Sequence, residues 1–312
     1  MMDLAFASNF MESSGSPVFQ LKMIAEAGFT HVHWCHHWNT DFLYGKYEIE
    51  QCRKWLKDIG LILTDIHGSE GQEKSWYSPV EYQRKAGVEL VLNRIQMLDA
   101  LGGSGVVVMH IPWYKTVTTA EQRPAIDACY SAVKRSLDEL MPYCEQYNCA
   151  IAVENTVCDT FETISGILNS YPEKYVGLIY DSGHGNGHDR WTYDPPRPGD
   201  GLDQLEKWKH RLKAMHLHDN DSTGDQHREL FSGTIDWQRL AKILADSSYF
   251  TPGRDGSVRP ISLEVLMPNT PYYDKTLKEQ PESKVREFLA DSFERSQRFA
   301  ELVQTYRITK TN

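Results

Sequence analysis

Two glutamates stand inside runs that are otherwise apolar: Glu154 in AIAVENT (150–156) and Glu264 in PISLEVL (260–266). A carboxylate among aliphatic residues is costly to bury unless a cation or a donor meets it. Other residues able to do chemistry sit toward the ends of comparable runs. LILTDIH (61–67) ends on His67, GVVVMHI (105–111) carries His110, and VGLIYD (176–181) ends on Asp181 with His184 just beyond. KAMHLHD (213–219) carries His216, and the segment after it adds Asp225 and His227. If these ends converge, a divalent cation reconciles the carboxylates and imidazoles. Mixed oxygen and nitrogen shells suit Mn, Zn, Fe or Co better than Ca, which prefers oxygen alone. Glu154, Asp181, His216 and Glu264, on four different runs, form the expected primary metal set. His67, His110, His184, Asp225 and His227 are expected to bind further metal, contact substrate or orient the primary ligands. Of His31, His33, His36 and His37, near the end of THVHW (30–34), at most one or two are expected to line the pocket, and none to touch metal; His210 reads as solvated.

What must position these groups is a repeating unit. The runs 4–10, 30–34, 61–67, 105–111, 150–156, 176–181, 213–219 and 260–266 are near-continuous in apolar residues, as expected of parallel strands buried on both faces. Amphipathic stretches lie between them, such as 17–28, 48–60, 125–147, 235–247 and 282–304, several ending at Gly before the next run. A strand–helix unit repeated about eight times predicts a (β/α)8 TIM barrel, read as one domain over residues 1–312. No GxGxxG follows the first strand, which disfavours a dinucleotide-binding sheet. In a barrel the carboxyl ends of the strands share one face, so the residues above converge there. Segments 68–80, 185–201 and 251–260 are rich in Gly, Pro, Ser or aromatics; those that follow a strand are expected as loops of that face, with YDPPRPGDG (193–201) as a rim or lid.

Composition narrows the class of partner. A net charge of −10 with no run of Lys and Arg makes nucleic acid an unfavoured partner. The six cysteines, Cys35, Cys52, Cys129, Cys144, Cys149 and Cys158, form no CxxC pair and read as reduced thiols. The beginning MMDLAFASNF lacks a basic, then apolar, leader, and no stretch is apolar enough to span a bilayer. A cytoplasmic protein without membrane contact is the expectation, with room for a homo-oligomer.

The ordered segments IAVENT, YDSGH, MHLHDND…DQH and SLEV resemble the xylose-isomerase-like TIM-barrel superfamily over nearly the whole chain. That group holds sugar phosphate isomerases and epimerases, hydroxypyruvate and inosose isomerases, D-tagatose 3-epimerase, and apurinic-site endonucleases of the endonuclease-four type. The epimerase branch implies one divalent cation, often manganese, on Glu154, Asp181, His216 and Glu264, with both glutamates as acid and base and His184 on substrate oxygens. The endonuclease branch implies three zinc ions on those four together with His67, His110, His184, Asp225 and His227, and this sequence has a match at each position. The contexts DIHGSEG and MHIPWY depart from that branch, and no basic or intercalating set for gripping DNA is evident.

The expected activity is therefore metal-dependent isomerisation or epimerisation of a keto-sugar, sugar phosphate or polyol by proton transfer through a metal-stabilised enediolate. Mn or Zn is the expected cofactor, with Mg, Co or Fe as alternatives. Glu154 and Glu264 would carry the proton. His184, His110, His67, Trp113 and Arg228 are the expected substrate contacts. Trp34, Trp38 and Trp191 are further stacking candidates, and Arg190, Arg197 and Arg259 further phosphate candidates. The competing readings are a trinuclear-zinc phosphodiesterase, a lyase or dehydratase using the same enolate chemistry, and a non-catalytic sugar- or partner-binding protein.

Overall fold

A computed structural model describes residues 2–12, 14–112, 123–156, 161–191, 201–253 and 256–311. Eight short strands form one parallel sheet: β1 (Leu4–Ala7), β2 (His31–Trp34), β3 (Ile62–His67), β4 (Val106–Met109), β5 (Ala150–Glu154), β6 (Val176–Asp181), β7 (Leu212–His216) and β8 (Ile261–Leu263). They run in the order β7-β6-β5-β4-β3-β2-β1-β8. The two ends of that order meet where Leu217 N–H donates to Ser262 O at 3.0 Å and Glu264 N–H donates to Leu217 O at 3.0 Å. The outcome is the expected (β/α)8 barrel. The strands are shorter than the apolar runs, so Glu264 and His110 each lie one residue past their strand.

The helices cover the outside: α1 (Val18–Glu26), α2 (Lys46–Ile59), α3 (Glu81–Leu101), α4 (Arg123–Gln146), α5 (Phe161–Ser170), α6 (Ser182–Trp191), α7 (Gly201–Trp208), α8 (Trp237–Ala245) and α9 (Glu282–Thr311). Gly60 closes α2 with φ 85°, a left-handed turn that glycine adopts without a Cβ penalty. Apolar side chains of helices and strands, among them Leu21, Leu56, Val91, Leu137, Trp237 and Phe288, make the main core. Each such side chain, fully buried, contributes about 1.5–3 kcal/mol. A second, smaller cluster of Val106, Val108, Ala152, Ile179 and Ala214 comes only from strands. Side chains alternate along a strand, so this cluster shares a face with Glu154, Asp181 and His216, two residues on from Ala152, Ile179 and Ala214. A thin apolar layer thus underlies the polar end.

One expectation changes. The 185–201 segment is not all loop: residues 182–191 form α6 despite three glycines in SGHGNGHDRW. Asp181 starts that helix by accepting the His184 N–H at 2.7 Å, a cap that offsets the poor helix propensity of glycine. The proposed lid at 193–201 falls, except for its last residue, outside the described residues. Among the described residues, no helix is long and apolar enough to cross a membrane. Cys35, Cys52, Cys129, Cys144 and Cys149 are buried thiols.

Candidate metal centre

Glu154, Asp181 and His216 are the last residues of β5, β6 and β7, and pairing sets Asp181 directly beside His216. With Glu264 they offer four ligand atoms that all lie within 4.8 Å of one another. His216 Nδ1 is 3.0 Å from Glu264 Oε2, 3.6 Å from Glu154 Oε1 and 4.0 Å from Asp181 Oδ2. All four are buried. Even so, His216 Nδ1 and Glu154 Oε2 make no hydrogen bond. Buried polar atoms are rarely left that way, and a cation among three carboxylates and an imidazole would satisfy them. The donor set fits a divalent metal.

Glu154 also faces two flanking groups. Its Oε2 lies 3.4 Å from His110 Nε2, and His67, His110 and Glu154 form one potential ligand group. Its Oε1 lies 3.3 Å from His184 Nδ1, on the side where His184, His218, Asp225 and His227 form another. His227 Nε2 is 3.1 Å from Asp225 Oδ1, and the His218 and His227 rings stack at 3.8 Å. Gly183 makes room for His218, since a Cβ there would come within 2.0 Å of the ring.

Mutual attraction shifts the titration of these groups. Burial works against charge on His216 and His184, yet Glu264 beside the first and Asp181 beside the second hold both well above the ordinary histidine range. Burial likewise opposes His110, but Glu154 and Glu70 push it up to about 10. His67 goes the other way, to about 3, through burial and the neighbouring His110. Burial alone would lift Glu154 and Glu264; instead His216 holds both well below the carboxylate range. Without a metal the site is a lattice of imidazolium–carboxylate pairs, the protons standing where cations would sit.

The remaining candidates divide. Trp38 packs on His67 and His110, with ring centroids at 4.7 and 5.2 Å, whereas Trp34 is a core residue bonded to the Tyr44 hydroxyl. Arg228 turns its guanidinium to Asp221 at 3.3 Å and lines a surface pocket with Tyr272 and Arg295. Arg259 donates to the Tyr249 and Thr251 carbonyls before β8, on the opposite end of the barrel from the carboxylates; no phosphate role at this site is open to it. Trp113 and Arg197 lie outside the described residues, as do the side chains of Arg190 and Trp191. His36 bonds the Gly15 carbonyl, His37 stacks on Phe42, and His210 is exposed.

Three participants were not assigned from the sequence. His33 reaches His216 from inside the barrel, Asp65 pairs with His33, and His218 sits 3.0 Å from Asp181 Oδ2. The signal was spacing: HVH and HLH put alternate histidines on one face of an extended chain.

The family profile described as xylose isomerase-like TIM barrel matches residues 21–295. The chain belongs to that family. A curated relative is the uncharacterized protein y4fM of Sinorhizobium fredii (strain NBRC 101917 / NGR234), 32% identical over 254 residues, covering 74% of this chain and 78% of the relative. Among solved structures, a D-tagatose 3-epimerase-like protein superposes with a TM-score of 0.69 at 18% identity, covering 97% of this chain and 99% of that one. The IOLI protein, solved with a bound zinc atom, superposes with a TM-score of 0.65 at 15% identity over 98% and 99% of the two chains. At such identities these structural likenesses speak for the fold.

Proposed function

We propose that this protein is a divalent-metal-dependent isomerase or epimerase acting on a keto-sugar, sugar phosphate or related polyol. The observation that carries the reading is the convergence of Glu154, Asp181, His216 and Glu264, with His216 Nδ1 and Glu154 Oε2 buried without a hydrogen bond. The sugar-epimerase likeness supports the substrate class. Mn or Zn suits the donor set, and a structural neighbour solved with a bound zinc atom supports the metal reading. When bound, the cation supplies Lewis acidity that makes the C–H beside a carbonyl acidic. Glu154 and Glu264, held as carboxylates, are the groups able to take that proton and return one. His184 can donate to a substrate oxygen, and Trp38 offers an apolar face beside His67 and His110. The test is turnover of a panel of ketoses and ketose phosphates by manganese- or zinc-loaded protein, with the metal quantified by mass spectrometry. Metal-loaded protein that leaves every member of the panel unchanged counts against it.

One observation favours a second reading. The flanking groups give this end of the barrel capacity for more than one cation, with Glu154 shared between the central set and the His67–His110 pair. Three tightly held zinc ions with phosphodiester cleavage would point to metal-activated hydrolysis, whereas one exchangeable cation per chain points to the isomerase.

A further inference from the structure

The histidines of the site are oriented in two ways. His67 Nδ1 lies 2.9 Å from the Gly68 carbonyl, His184 Nδ1 lies 3.1 Å from the Asn155 carbonyl, and His227 Nδ1 lies 2.8 Å from the Glu264 carbonyl. A carbonyl can only accept, so in each case Nδ1 carries a fixed proton and Nε2 is the nitrogen left to meet a cation or a substrate. His216 is reversed. Its Nδ1 faces Glu264, Glu154 and Asp181, so Nε2 is the nitrogen that must carry the fixed proton. That nitrogen points into the barrel and meets another histidine, His33 Nε2, at 2.9 Å. His33 Nδ1 in turn pairs with a carboxylate oxygen of Asp65, and His33, Asp65 and His216 are all buried.

We propose that Asp65 and His33 form a positioning relay that presents the His216 Nδ1 lone pair to the cation. The Asp65 carboxylate only accepts, so His33 donates through Nδ1 and offers a lone pair at Nε2. His216 therefore donates through its own Nε2, which leaves Nδ1 unprotonated and aimed at Glu154, Asp181 and Glu264. The relay substitutes for the backbone carbonyl that His67, His184 and His227 use. A register shift between Val32 and His33 sets His33 of β2 opposite Asp65 of β3, so the first link is built between adjacent strands; the second crosses the barrel to β7. His33 also falls in a potential ligand group with His216 and Glu264, but its two ring nitrogens meet Asp65 and His216, so Asp65 and His33 act through His216.

This inference rests on the metal reading above, and the experiment separates the two. Manganese and zinc affinities are measured by calorimetry and chelator competition for the wild type, Asp65→Asn, His33→Phe, His33→Gln and Glu264→Gln, each checked for folding by circular dichroism in chelator. Asp65→Asn and His33→Phe should weaken the cation about 10–100-fold, the range typical of groups that orient metal ligands. His33→Gln keeps an acceptor for His216 and should fall between His33→Phe and the wild type. Histidine 15N spectra of the zinc-loaded protein should place the His216 proton on Nε2 in the wild type and show that assignment lost or averaged in Asp65→Asn. Folded Asp65→Asn and His33→Phe that bind as tightly as the wild type would overturn the relay, as would an Nδ1-protonated His216. A wild type that binds no cation, like Glu264→Gln, would overturn the metal reading itself and the relay with it.

Discussion

The two ends of this barrel both bury ionisable groups, and they treat them in opposite ways. At the amino end Arg211, just before β7, donates to the carbonyls of Leu168 at 2.6 Å, Val176 at 2.7 Å and Tyr171 at 3.0 Å. Arg259, just before β8, donates to the carbonyls of Tyr249 and Thr251 at 3.2 Å each. Donors there meet fixed acceptors of the chain, so charge is absorbed into the scaffold. At the carboxyl end, carboxylates face imidazoles that are themselves acceptors when neutral, and His216 Nδ1 and Glu154 Oε2 are left without a hydrogen bond. The first arrangement holds each guanidinium on main-chain carbonyls, though the Nε of each makes no hydrogen bond. The second offers groups that either protons or a metal could satisfy, and the two would compete for the same positions.

The largest expected effect breaks the carboxyl end alone. Glu154→Gln or Glu264→Gln should lower turnover about 100- to 10,000-fold, the range for losing a general acid or base, with an unchanged circular dichroism spectrum. Retained turnover in both would remove the glutamates from the chemistry.

Chelation comes next. Stripping the cation should lower the unfolding free energy by about 3–4 kcal/mol for a metal held at 100 to 1,000 times its Kd, read as a drop in melting temperature restored by manganese or zinc. Arg211→Met acts at the other end. It should cost about 2–4 kcal/mol by leaving three carbonyls without their charged donor, while cation affinity stays at the wild-type value. Changed affinity in that variant would show that the two ends are coupled.

The pH dependence sharpens the contrast further. In metal-free protein His110 is pushed up to about 10 and His227 to about 9, both above the ordinary 6.5. A raised folded pKa gives stability that is fully present below pH 6.5 and is lost as pH climbs through 9 to 10. Melting temperature of the chelated protein should therefore fall by several degrees over that interval. The loaded protein should not follow, because the metal requires unprotonated imidazole, so the gap between loaded and stripped melting curves widens with pH. The smallest effect is expected from Lys213→Met. Burial and the nearby Arg259 already depress the lysine, and its stem lies over Gly177, so an uncharged stem should change stability by less than about 1 kcal/mol in melts of the two proteins.

Much of this was legible before any coordinates. Continuous apolar runs alternating with amphipathic stretches dictate parallel strands covered by helices, because only that layering buries both faces of the runs. Carboxylates within those runs, Glu154 and Glu264, mark the site because nothing else in an apolar strand compensates them. The α6 helix was hidden by its glycines, since its start depends on a cap from Asp181 rather than on propensity. Arg228 was named for its place in the chain close to the site, and the structure adds that its guanidinium is turned to Asp221.

The sequence by itself determined the barrel and the four residues able to grip a cation, because strand periodicity and the cost of a buried charge are local properties. Only the tertiary structure decided that Glu154 is shared with a flanking pair, and that His218 joins the group around Asp225. It alone paired His33 with His216 across 183 residues of chain. Which nitrogen of a ring meets which neighbour depends on how strands close across the barrel, and no spacing along the chain records that distance.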